Sequence, residues 1–224
     1  MPGSTKLREL TAAELAAEQR SGTLVLDTRS AEQFAALHIR GSVQISLLGH
    51  FAGWAAILID PAQKVLLIAE DEISAHEAFV RLTRVGLVLV AGYCRANEQQ
   101  LRKEGIELAS IATYKCSSID LFLHGDTPPQ LVDVRSRAEW LKGHLPGAIS
   151  LPLLELNSKA NSIDPAKTSL VYCHEGYRAT TAASMLMRDN AGNIGILIDG
   201  VEGWTACGLP LESEETALTD NRRR

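Results

Sequence analysis

The sequence predicts an α/β protein of two similar domains, each a mostly parallel sheet flanked by helices, and three observations predict it. Short apolar runs of strand length alternate with helix-like stretches, the pattern of a parallel sheet wrapped by helices. Two long segments repeat one another a domain's length apart. The chain of 224 residues is long enough for two domains of about 100 to 120, each able to bury an ordinary core.

The elements follow in order. Thr11 and Glu14, in TAAE, form the capping-box signature that opens the first helix. LVLD (24–27), VLLIA (65–69) and LVLVAG (87–92) are the strands of the first domain. SSIDLFLHG (117–125) is the counterpart of the opening helix, capped by Ser117 or Ser118, which puts the join near Ala109 to Lys115. LVDV (131–134), SLVYC (169–173) and GILIDG (195–200) are the strands of the second domain, and ATTAASMLM (179–187) is a helix. After Pro210 the tail LESEETALTDNRRR loses apolar periodicity and reads as frayed or disordered. The expected domains are 1–111 and 112–212, with a disordered tail at 213–224.

The repeat is specific. LVLDTRSAEQFAALHIRGSVQISL, from Leu24, matches LVDVRSRAEWLKGHLPGAISLPL, from Leu131, with Asp27, His38 and Gly41 each 106 positions before Asp133, His144 and Gly147. KVLLIAEDEISAHEAFVRL matches TSLVYCHEGYRATTAASML at an offset of 104, and VAGY (90–93) matches IDGV (198–201) at 108. Loop lengths differ while the units correspond.

Composition bounds the partners. Twenty-two Lys plus Arg against 27 Asp plus Glu give a net charge of −5, which argues against a nucleic-acid stripe or a polybasic membrane patch. No apolar run reaches the roughly 18 residues of a spanning helix, and MPGSTKLREL lacks the apolar core of a signal peptide, so a soluble, cytoplasmic protein is expected. Cys94, Cys116, Cys173 and Cys207 show no CxxC pair and no zinc-like spacing, so reduced thiols are the default.

The chemistry concentrates in CHEGYR, Cys173 to Arg178. A cysteine between a strand and a tight loop that opens a helix sits where a thiolate is favoured, and is a candidate nucleophile. The candidate cradle is His174, Glu175, Gly176, Tyr177 and Arg178: amides from His174 to Arg178 would stabilise an anionic sulfur, and Gly176 lets the loop curl. Arg178 is a fixed cation, either for a donor's anionic end or for loop closure. His174 either tunes the charge near Cys173 or is solvated. Glu175 weakens the positive field, which favours bulkier persulfides over doubly charged thiosulfate.

These residues resemble a known family. The second unit resembles a rhodanese, or sulfurtransferase, domain over nearly its whole length: LVDVRSRAEWLKGHLPGAISLP, the loop CHEGYR, and the closing DGVEGWTACGLPL, which fits a Gly-x-x-Gly-x-Trp-x-x-x-Gly-x-Pro pattern at Gly200, Gly203, Trp204, Gly208 and Pro210. The first unit resembles the same fold but has Ala69 where the cysteine should be and Ser74 where the arginine should be. Its HIRGSVQISLLGHFAGWAAILIDPAQKVLLIAED is similar to the rhodanese portion of fusions with a metallo-β-lactamase-fold persulfide dioxygenase. No His-x-His-x-Asp-His metal motif occurs, so the expectation is either a free-standing relative, which Met1 favours, or a chain that lacks an upstream partner, with a persulfide dioxygenase as the candidate partner. The resemblance implies tandem rhodanese-like domains in which Cys173 takes a sulfane sulfur from thiosulfate, glutathione persulfide or a similar persulfide and passes it to a thiol, sulfite or cyanide. It implies no cofactor and no metal.

Two rivals stand beside it. A Cdc25-like phosphatase would match a loop with five residues between cysteine and arginine, whereas four lie between Cys173 and Arg178. A noncatalytic module would bind proteins or sense polysulfides. Elsewhere the plainer expectation holds. Cys94, Cys116 and Cys207 are small hydrophobes, Asp133–Arg135 and Asp27–Arg29 are structural charge pairs, His38 and His144 fix turns, and Trp54 and Trp204 pack.

Overall fold

Two folding units, Met1–Ser110 and Ile111–Arg224, correspond to the two repeats. The computed structural model describes residues 7–95, 97–119, 123, 125–156, 162–189 and 191–213.

In the first unit the central strand is β4 (Val65–Ala69), whose five side chains are all buried because helices cover both faces. Parallel pairing gives the order β3 (Val43–Gln44), β1 (Leu24–Asp27), β4, β5 (Val90–Arg95). The segment before the first helix continues the sheet beyond β5: Leu10 donates to the Tyr93 carbonyl at 2.7 Å and Tyr93 to that of Arg8 at 3.0 Å. Helices α1 (Ala12–Arg20) and α2 (Ala31–Ala36) open on capping boxes at Thr11/Glu14 and Ser30/Gln33. Helices α3 (Phe51–Leu58), α4 (Glu72–Thr83) and α5 (Glu98–Lys103) complete the unit. A short antiparallel pair, β2 (His38–Ile39) with β6 (Leu108–Ala109), closes it. Leu15, Val25, Leu66 and Ile68 lie in its core.

The second unit repeats this order as β7 (Ala112–Tyr114), β11 (Ile194–Leu197), β10 (Ser169–Tyr172), β8 (Gln130–Asp133), β9 (Ile149–Ser150), all parallel. Around it lie α6 (Arg137–Lys142), α7 (Tyr177–Arg188) and α8 (Gly200–Ala206). Leu131, Leu170, Leu197 and Trp204 pack in its core. An antiparallel bridge of His144 with Glu212 stands where β2 meets β6 in the first unit.

The structure corrects the sequence in four places. Strand β5 begins at Val90 and runs to Arg95, later than the expected 87–92, because Val90 is the first residue in register with β4 while Val88 and Leu89 are exposed. Sheet register pairs Ile68 with Cys94 and Tyr172 with Leu197, so Cys94 corresponds to Leu197 and the VAGY–IDGV match was displaced by several residues. At the expected start of the opening helix, Ser117 and Ser118 are not yet in an α-helix. Both lie inside a 3-10 turn, Cys116–Ser118, and the Ser118 hydroxyl donates back to Lys115; most of the expected helix beyond lies outside the described residues. Finally, the chain stays ordered past Pro210, since Glu212 exchanges backbone hydrogen bonds of 2.9 Å with His144. The disorder expected for 213–224 falls, after Ser213, outside the described residues.

Candidate active site

Cys173 follows the last residue of β10, the middle strand of the second sheet, and is 1% exposed. The chain turns at Gly176, whose φ of 86° is a left-handed conformation, and α7 starts at the next residue. This curl aims the Gly176 amide at the sulfur, which accepts its hydrogen bond at 3.1 Å. No side chain caps α7, so the partial positive charge at its start faces the loop. Two glycines pack the loop against the strand beyond. A Cβ on Gly176 would run into the Ile198 carbonyl, and one on Gly200 would lie 2.5 Å from the His174 carbonyl oxygen and closer still to that of Cys173. The start of α8 fastens the loop from the same side, with the Val201 amide donating to the Cys173 carbonyl at 3.0 Å.

The other loop residues divide by exposure. His174 and Glu175 are exposed, with side-chain accessibilities of 55% and 69%, so neither covers the sulfur. With the exposed Glu202 they bring ligand-type atoms within 4.8 Å of one another, and this acidic group stands at the mouth of the loop. Tyr177 is half-buried. Arg178 is turned to Glu139: its two terminal nitrogens donate to the two carboxylate oxygens at 2.8 and 2.7 Å, a planar bidentate pair. Arg178 accordingly holds the Glu139 carboxyl down to about 2, and its own pKa is raised chiefly by the Glu139 hydrogen bonds.

Sequence reasoning missed Glu139. The Ser136-x-x-Glu139 spacing signalled a capping box, which forms, with the Ser136 amide donating to the Glu139 carboxylate at 3.0 Å. Nothing in the spacing signals that the same carboxylate also grips a residue 39 positions later. Gly200 and Glu202 were likewise outside the expected set.

The corresponding site of the first unit is built differently. Ala69 ends β4 with no exposure, and Asp71 caps α4 in place of a free loop, its carboxylate accepting from the Ser74 amide at 2.7 Å. A built-in carboxylate thus takes the amide position open in the second unit.

The plainer expectations match the geometry at the charge pairs, His38, His144, Trp204, Cys94 and Cys116. Asp133 and Arg135 form a buried pair at 2.6 Å, and Arg135 also donates to the Gly143 carbonyl. Asp27 and Arg29 repeat it, with Leu37 as the carbonyl. His144 stacks on Trp140 at 3.5 Å and shares a hydrogen bond with its carbonyl, as His38 does with Phe34. Trp204 is 5% exposed and donates to the Pro210 carbonyl. All four cysteines are free thiols. Burial pushes Cys94 up to about 11 and Cys116 higher still, which suits packing rather than attack. Cys207 is exposed.

A doubly repeated parallel α/β unit, with a strand–Cys–loop–helix site in the second copy, defines the class. The rhodanese-like domain model matches residues 11–98 and 122–207, and the chain belongs to that family with two such domains in tandem. A sulfurtransferase of Allochromatium vinosum is 32% identical over 85 residues, 38% of this chain and 79% of that protein. The thiosulfate sulfurtransferase GlpE of Coxiella burnetii is 29% identical over 76 residues, 34% of this chain and 71% of that protein. Among solved structures, a thiosulfate sulfurtransferase from Pseudomonas aeruginosa superposes with a TM-score of 0.41 and 20% identity, covering 92% of this chain and 44% of that one. The chain therefore spans less than half the length of that structure. No helix among the described residues is long and apolar enough to cross a membrane.

Proposed function

We propose that this protein is a sulfurtransferase that carries a sulfane sulfur on Cys173 from thiosulfate or a low-molecular-weight persulfide to a thiol, sulfite or cyanide. The observation that supports this best is the Gly176 amide donated to Sγ at 3.1 Å in a loop that opens an uncapped helix. Backbone amides and a helix start aimed at one sulfur can hold the charge that develops on it during transfer.

The steps balance as two exchanges. The Cys173 thiolate attacks the outer sulfur of a persulfide RS–SH, forming the Cys173 S–S bond as the donor's S–S bond breaks and releasing RS⁻. With thiosulfate the leaving group is sulfite, which departs with the electron pair. An acceptor thiolate then attacks the outer sulfur of the Cys173 persulfide and restores the Cys173 thiolate. No net oxidation occurs and no cofactor enters. The first unit takes no part in the exchange, having Ala69 at the nucleophile's position.

Organic persulfides are the preferred donors in this account. Glu175 and Glu202 put negative charge at the mouth, which repels a dianion at close range while an organic persulfide keeps its charges on a flexible body. A persulfide dioxygenase drawing on the same persulfide pool is the proposed partner. The account is tested by thiocyanate formation from thiosulfate and cyanide, and by thiol-dependent sulfide release from glutathione persulfide. Wild-type protein should catalyse both and Cys173→Ser neither; equal rates in the two proteins would refute it.

A further inference from the structure

Helices α2 and α6, at corresponding places in the two units, open on the same capping box, and comparing the two boxes isolates a feature that capping does not need. In the first unit Gln33 closes the box, accepting from the Ser30 amide at 3.0 Å. In the second, Glu139 accepts from the Ser136 amide at the same distance. An amide oxygen therefore suffices for the cap, and the carboxylate of Glu139 has another purpose.

In both units this side chain reaches the loop after the central strand, and the partners have changed together. Glu139 takes Arg178 in a bidentate pair, whereas Gln33 donates to Glu70 at 2.5 Å. The first unit has Ser74 in the place of Arg178 and Gln33 in the place of Glu139. Within one chain the arginine and the carboxylate are present together or absent together. Arg178 and Glu139 are partly withdrawn from water, with side-chain accessibilities of 22% and 35%, and both oxygens of the carboxylate are engaged.

We infer that Glu139 is a positioning residue that turns Arg178 into a neutralised strut, fixing the end of the loop while cancelling the charge that would otherwise draw anionic donors to Cys173. This rests on the sulfurtransferase reading and deepens it: the cradle attracts the sulfur through its amides and not through the arginine, so donor choice passes to the acidic mouth. A pair of this kind selects for donors whose charge lies away from the reacting sulfur.

The test reads the field at Cys173 without relying on sulfur transfer. Iodoacetate and iodoacetamide have nearly the same size, one anionic and one neutral. The ratio of their rates at Cys173, obtained by peptide mapping so that Cys94, Cys116 and Cys207 are separated, cancels any change in thiolate fraction. In Glu139→Gln, whose cap the first unit shows to be sufficient, the freed arginine should raise the ratio about threefold or more. Glu139→Gln combined with Arg178→Gln should bring it back to within about twofold of wild type. In proteins that turn over, kcat/KM for thiosulfate relative to glutathione persulfide should follow the same pattern. An unchanged ratio in Glu139→Gln would show that the carboxylate cancels no charge felt at Cys173, and a fall in the double variant well below wild type would show that Arg178 already acts on anions directly; either would overturn the inference. If Glu139→Gln does not fold, the charge-neutral double variant still decides between the two. If wild type transfers no sulfur while the alkylation ratios follow the cycle, the functional reading fails and the strut survives.

Discussion

Replacing Gly200 with alanine probes how the active loop is held, and its cost can be worked from the structure. Gly200 has a φ of +50°, and a Cβ there would press on two main-chain carbonyls, of Cys173 and His174, which cannot swing aside as a side chain could. Left-handed backbone costs an L-residue roughly 1–2 kcal/mol. Overpacking a close-packed site adds about 1–3 kcal/mol, for a total of about 2–5 kcal/mol against a domain stability of about 5–15 kcal/mol. Gly208→Ala is the control: its φ is +72° with nothing within 4 Å, so only the backbone term applies. In urea, followed by tryptophan fluorescence, Gly200→Ala should lower the midpoint of the second unit's transition by roughly 1–2 M, and Gly208→Ala by less than half as much. The variant should also lose transfer activity, because relieving the clash moves the Cys173 carbonyl off the Val201 amide. Equal midpoints for the two variants would refute the argument that α8 and the loop are locked by close main-chain approach.

The remaining predictions concern charge and the nucleophile. Because the folded-state value of Glu139 lies at about 2, below its ordinary 4.5, the Arg178 clamp contributes fully above pH 4.5 and fades as the pH falls toward 2. The stability difference between wild type and Glu139→Gln should therefore be flat from neutrality to about pH 5 and shrink below it; a difference that grows on acidification would contradict this. Ala69→Cys in a Cys173→Ser background should not restore sulfur transfer, since Asp71 already occupies the amide position and Glu70 and Glu72 add negative charge. Robust transfer by that variant would mean the fold alone supplies the cradle. Compared at matched ionic strength with one acceptor, glutathione persulfide should give the higher kcat/KM; a tenfold preference for thiosulfate, about 1.4 kcal/mol, would count against the acidic mouth as the selector.

How much of this was legible in the sequence depends on how local each signal is. The buried strands are continuous apolar runs, and the Thr11 box and the Cys173 loop are encoded within a few neighbouring residues, so each could be read directly. Strand β5 was misplaced because Leu87, Val88 and Val90 share one composition, and only pairing with β4 and with Arg8–Leu10 decides which residues enter the sheet. Glu139 was not singled out, because its spacing from Ser136 signals at most a cap and its second role needs a partner brought near by the fold. Gly200 was visible as a motif glycine, but its purpose, contact with the backbone of Cys173, is a property of two chain segments meeting. The return of Glu212 to His144 is a backbone interaction, to which hydrophobic periodicity is blind.

The most direct test of the central claim is the mass of the Cys173 peptide after the purified protein is incubated with glutathione persulfide, and again after an acceptor thiol is added. The account predicts a gain of one sulfur atom on Cys173, absent from Cys94, Cys116 and Cys207, that the acceptor then removes with recovery of the free thiol. A Cys173 that gains no sulfur, or gains it and cannot pass it on, would contradict the assignment of Cys173 as the carrier of a transferable sulfur.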